Sequence, residues 1–177
     1  MNKYFIFTFN LIISYLIALT TNTYSQNIDG WIGKWAGELI IYNAPGYEKI
    51  SSLHMELHIS KTDSAGLYNW HIIYGDSAKD HRKYLLRTID ESKGKYSINE
   101  KNGILLGADM LGSKLISRFI VQGSMLDITY EMENDKIIFE VFAGSDTPEQ
   151  TTTGSEENIS VSSFKVTNYQ KAVLMKK

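Results

Sequence analysis

The chain has 177 residues, 43% of them hydrophobic and 21% charged, with 18 Lys and Arg against 20 Asp and Glu and a formal charge of −2. That balance supplies no electrostatic drive toward nucleic acid or an anionic lipid surface, and the apolar content is too high for a disordered polymer. The absence of cysteine excludes a disulfide framework, a cysteine-ligated metal and lipid attachment at a cysteine.

At the N-terminus a single cation, Lys3, precedes an apolar stretch from Tyr4 to Leu19, interrupted only by Thr8, Asn10 and Ser14. A short polar segment follows and ends in Thr23-Tyr24-Ser25. Basic tip, apolar middle and small-residue end are the layout of a secretory signal peptide, read as residues 1–25 with cleavage before Gln26. The alternative is a membrane anchor, for which the run falls slightly short of the ~20 residues a bilayer span needs. Loss of Lys3 with this segment would leave 17 Lys and Arg against 20 acidic residues. The expected location is outside the cytoplasm, either periplasmic or secreted. Residues 26–177 are enough for one domain that buries its own core.

From there the dominant signal is apolar–polar alternation with period two, broken by turn residues at short intervals. It predicts strands over 35–42, 51–61, 67–74, 82–89, 95–99, 104–110, 114–122, 125–132 and 136–142. The links include Thr62 to Gly66, Asn102-Gly103, Gln122-Gly123-Ser124 and Asn134-Asp135. Residues 143–158, rich in Gly, Thr, Ser and Glu, read as a long surface connection, a type that is usually mobile or functional. A tenth strand is expected over 159–169, with 172–175 extending it or packing beside it. No amphipathic helix of three turns is visible. The fold class is therefore all-β, a single antiparallel up-and-down barrel of about ten strands. Closing the sheet gives one interior, either filled or holding a small ligand.

The segment Trp31-Ile32-Gly33-Lys34-Trp35-Ala36-Gly37 resembles the start of the calycin superfamily, the lipocalins, fatty-acid-binding proteins and nitrobindin-like barrels. Those families open with a Gly-x-Trp element, here Gly33-Lys34-Trp35. The resemblance implies a lipocalin-like barrel whose floor is closed by Trp35. Two family features are missing. The C-terminal arginine that stacks on the floor tryptophan in many lipocalins has only Lys171 near its place, and a lysine stacks less well than a guanidinium. The late histidine that holds haem in nitrobindin-like barrels has no counterpart, since no histidine follows His81. No cofactor is expected.

Catalytic signals are weak. Gly-x-Ser-x-Gly and the glycine-rich phosphate loop are absent. Glu38, Glu56, Asp127, Glu131 and Glu140 fall on outward faces, where carboxylates are normally solvated. His54, His58, His71 and His81 cluster, and His58 could face His71 beside Glu56, a pairing that suits zinc. All three lie on the polar parity, so the surface reading is preferred and no metal is assigned. An enzyme assembled only in space remains a third reading.

The suggestive set is aromatic. Tyr68, Trp70, Tyr74, Tyr84 and Tyr130 share the inward parity of their strands, and Arg82 shares that of Tyr84. A filled core favours Leu, Ile, Val and Phe, because a buried phenol needs a hydrogen-bond partner. These six are therefore the candidate ligand-binding residues, with Arg82 available to an anionic head group; the alternative places the tyrosines at barrel rims. The expected partner is a small apolar molecule. The second reading is a module with a filled barrel, in which outward Ile40, Ile116, Ile120, Ile138 and Phe142 (with Tyr42) form a patch for a protein partner or self-association. Outward charges at Glu38, Glu56, His58, Asp127 and Glu140 argue against a membrane-embedded barrel.

Overall fold

A computed structural model describes residues 27–43, 48–75, 80–156 and 158–177. The expected signal segment, residues 1–25, and the cleavage point before Gln26 lie outside the described residues.

Ten strands follow one another in chain order: β1 (Gly33–Asn43), β2 (Glu48–Lys61), β3 (Leu67–Tyr74), β4 (Asp80–Asp90), β5 (Lys95–Asn99), β6 (Leu105–Leu111), β7 (Lys114–Val121), β8 (Ser124–Glu133), β9 (Lys136–Thr153) and β10 (Ser160–Lys176). Each pairs antiparallel with its neighbours in sequence, and β10 returns to β1, closing an up-and-down barrel. Alternation drives this: along β3 the side chains of Tyr68, Trp70 and Ile72 are buried while those between them are not. Turn chemistry sets the register. Between β7 and β8, Gln122 and Gly123 stand at φ 48 and 78, the positive pair that a two-residue type I′ hairpin demands. They bring Val121 opposite Ser124.

One end of the barrel is closed by the chain itself. Asn27 accepts a hydrogen bond from the Asp29 amide at 2.7 Å and starts a short 3-10 turn, Ile28–Trp31, whose Ile28 and Trp31 are buried. The Trp35 indole, 2% exposed, donates to the Trp31 carbonyl at 2.8 Å, and Lys176 lies over its ring with the ammonium 5.2 Å from the centroid. Trp35 thus sits at the floor. The stacking cation comes from Lys176, not from Lys171, which pairs with Glu140 instead. Close passage matters as well: a Cβ on Gly37 would lie 2.2 Å from the Val173 carbonyl oxygen, so β1 and β10 meet there only because position 37 is glycine.

The stretch 143–158 corrects the sequence reading. It is not a long connection: β9 continues to Thr153 and pairs with β10, from Ser160 opposite Thr153 to Asn168 opposite Ala143. Beyond Ser145 no third strand joins this ribbon among the described residues, and its side chains from Thr147 to Thr153 are exposed. Hydrophobic alternation records burial on one face. A ribbon with water on both faces need not show it, and β-branched threonines with cross-strand contacts such as Thr151 to Ser162, 3.0 Å between hydroxyls, hold the strands together instead. Residues 172–175 are the end of β10 itself.

Candidate ligand-binding cavity

The interior is divided along its axis. Toward the floor it is packed solid: Trp31 meets Trp70 with ring centroids 6.3 Å apart, and Trp70 meets Tyr130 edge-on at 5.0 Å. Tyr130 in turn packs on Phe139, again at 5.0 Å. Above this seam a cavity of about 840 Å³ opens. Buried Leu39, Tyr130 and Phe139 line its depth, along with Ser117, whose hydroxyl donates to the Gly107 carbonyl at 2.8 Å. Aliphatic side chains from several strands, among them Leu53, Leu126 and Ile128, make up the walls.

The polar residues gather on β3, β4 and the β5 end. Arg82 Nε donates to Asp80 Oδ1 at 3.2 Å, and its guanidinium stands 4.8 Å from the Tyr74 ring centroid. Tyr84 lies beside Glu100 and Arg82, both of which act on its phenol. Burial pushes the Tyr74 phenol up to about 12, and burial likewise raises Tyr84 and Tyr130. All three phenols are therefore neutral at physiological pH and act as hydrogen-bond donors and acceptors, not as charges.

Of the six candidate residues, the fold brings Tyr74, Arg82, Tyr84 and Tyr130 to the cavity lining. The other two lie below it. Tyr68 is at the closed end, where its hydroxyl donates to Asp29 Oδ1 at 2.8 Å, and burial followed by that carboxylate raises it to about 12. Trp70 is fully buried in the packed seam, its Nε1–H approaching the Tyr130 hydroxyl without reaching full hydrogen-bond geometry. Sequence parity missed Asp80, Glu100 and Gln170, which also line the cavity; Asp80 starts a strand and Glu100 follows one, where alternation carries no signal.

The histidines stay on the outside. Glu56 accepts from His54 Nε2 at 2.9 Å and from His58 Nε2 at 2.6 Å, and also pairs with Lys177. Those contacts pull its carboxyl down to about 2, with Lys177 the largest cause and His54 next. His71 packs edge-on against His81 at 5.2 Å. Among the described residues no three His, Asp or Glu side chains converge as a metal site. Of the outward apolar residues, Ile40, Ile138 and Phe142 share the outer face of β1, β10 and β9, where Tyr42, Tyr169 and Phe142 stack across strands at 5.8 and 4.7 Å. Ile116 is separated from them by Thr129 of β8, and Ile120 is at the cavity rim. The five do not form one patch.

Among solved structures, the chain is similar to a protein of unknown function of the DUF3598 family from Nostoc punctiforme. The TM-score is 0.61 at 8% identity, covering 85% of this chain and 49% of that one. This chain thus spans about half the length of that protein. Weaker likenesses are to two single-site mutants of the fluorescent protein UnaG, with TM-scores of 0.49 and 0.47 at 11% and 12% identity, covering 85% of this chain and 99% and 98% of theirs. No family model matches the chain, and no curated protein matches it. The likeness is one of fold alone, a closed ten-stranded antiparallel barrel in this chain.

Proposed function

We propose that this protein binds a small, mostly apolar molecule inside the open half of its barrel, and that it does so after export from the cytoplasm. The observation that carries the reading is the cavity itself, about 840 Å³ within an otherwise packed interior, inside the ~300–1,000 Å³ range of small-molecule sites. Its aliphatic walls would supply most of the affinity, at ~25 cal/mol per Å² of apolar surface buried. Tyr74, Tyr84, Tyr130 and Arg82 would orient the ligand's polar end. Within the superfamily resembled, the lipocalin-like type is favoured by the Gly33-Lys34-Trp35 floor motif. Export rests on the layout of residues 1–25, with the domain running from Gln26 to Lys177 in a periplasm or outside the cell. Protein docking is the second reading, supported by Val173, which is exposed opposite Ile138 on the outer face, with Met175 exposed further along the same strand.

The test uses an uncharged apolar dye, Nile red, whose emission rises and shifts to the blue when it leaves water. Binding to the full mature chain should saturate at one dye per barrel. Ile128→Trp, which places an indole in the cavity, should weaken the dye by tenfold or more while leaving thermal unfolding within a few degrees. Equal binding by this variant would place the dye elsewhere and sink the cavity as the site.

A further inference from the structure

The charges at the cavity mouth discriminate between head groups. Three ionised side chains line the cavity among the described residues, Asp80, Arg82 and Glu100, one cation against two anions. Arg82, taken alone, invites an anionic head. In the fold its Nε is engaged with Asp80 Oδ1 at 3.2 Å, and its guanidinium covers the Tyr74 ring. The Tyr84 phenol stands beside both Glu100 and Arg82, and the Ser117 hydroxyl donates to the Gly107 carbonyl. Arg82 keeps the N–H groups of its two terminal nitrogens, so what distinguishes the mouth is charge: against one guanidinium stand two carboxylates, each with about four lone-pair sites, more than these contacts fill.

We infer that the cavity prefers amphiphiles whose head group is an uncharged or cationic hydrogen-bond donor, such as an alkanol or an alkylamine, over alkanoates of the same chain length. This rests on the cavity being the ligand site. Asp80 and Glu100 accept from the incoming hydroxyl or ammonium, while an incoming carboxylate meets a lining that is one unit negative among the described residues, its one arginine paired with Asp80. Asp80 and Arg82 are both about half exposed, so water screens the effect. One unit of charge at ~5 Å in a water-like dielectric is worth roughly fourfold in affinity, which makes roughly fifteenfold between a cation and an anion on the same chain, and less at high salt.

The experiment is displacement of bound Nile red from the mature chain by dodecylamine, dodecanol and dodecanoate at low ionic strength and neutral pH. Dodecylamine should displace the dye about tenfold or more below the dodecanoate concentration required, with dodecanol also ahead of dodecanoate. The variant Asp80→Asn/Glu100→Gln changes one exposed and one half-buried side chain, neither of them in the core; it should strengthen dodecanoate, weaken dodecylamine and bring their ratio toward one. Dodecanoate binding as tightly as dodecylamine would overturn the inference, as would an amine-to-alkanoate ratio that the double variant leaves unchanged, or failure of all three to displace the dye. Failure of Nile red itself to bind is a separate result, seen before any head group is compared, and it refutes the ligand-site reading instead.

Discussion

Trp35→Ala tests the floor of the barrel. The indole is 2% exposed, and a buried tryptophan removes on the order of 150–250 Å² from water. At ~25 cal/mol per Å² that area is worth roughly 4–6 kcal/mol, an upper figure because the unfolded chain already shields part of it. Large-to-alanine changes in cores cost about 3–5 kcal/mol. The variant also leaves the Trp31 carbonyl without the donor it has at 2.8 Å, worth about 1 kcal/mol. The stacked Lys176 ammonium adds less, since Lys176 is exposed. The expected loss is about 4 kcal/mol, a large share of the ~5–15 kcal/mol that holds a domain folded. Guanidinium unfolding followed by far-ultraviolet circular dichroism measures it as a fall in midpoint at constant slope. A loss below about 1 kcal/mol would mean that the floor is not closed by this indole, and the reasoning from Gly33-Lys34-Trp35 would fall with it.

Two further expectations concern the shell. The folded Glu56 carboxyl titrates at about 2 against an ordinary 4.5, so its contribution is complete above pH 4.5 and disappears as pH falls from there toward 2. Wild type should lose stability relative to Glu56→Gln across that window, and parallel acid profiles for the two would show that the pairing with Lys177, His54 and His58 does not hold. Gly37→Ala would drive a Cβ to 2.2 Å from the Val173 carbonyl oxygen, whereas a Cβ on Gly107 meets nothing within 4 Å. The first should cost on the order of 1–3 kcal/mol and the second nothing or a slight gain; equal melting temperatures would refute the close passage of β1 and β10.

The strands were legible because each half-buried strand writes its register in alternation. β3 and β5 occupy the residues expected, 67–74 and 95–99. What alternation does not write is height along the barrel axis. Tyr68, Trp70 and Tyr74 share one parity on one strand, yet the first bonds to Asp29 at the closed end, the second is sealed between Trp31 and Tyr130, and only the third reaches the cavity. Height is set by the stagger of strands when the sheet closes, a property of the whole ring and not of any segment. For the same reason the mouth acids were invisible: Asp80 and Glu100 converge on Arg82 and Tyr84 only after β3 to β6 are in register. The Ile28–Trp31 turn left a local trace, an Asn two residues before an Asp, but nothing in that short stretch indicates that it plugs a barrel.

The axial division explains how one small domain can hold an unfilled space and still fold. An empty apolar volume weakens a core because its lining loses packing partners. Here the partners are concentrated at the other end: Trp31, Trp35, Trp70 and Tyr130 interlock above a turn that the chain folds under itself, and Trp31, Trp35 and Trp70 are absent from the cavity lining. Stability is thereby assigned to the floor, and the mouth is free to carry groups that folding does not require, including two carboxylates whose only nearby cation is Arg82 among the lining residues. A mouth selected for stability would balance those charges or replace them with apolar side chains. On the proposed reading, Asp80, Arg82, Tyr84 and Glu100 at the rim of an open apolar space would meet a ligand's polar end, and the head group, more than the chain, is then the feature that this site should distinguish.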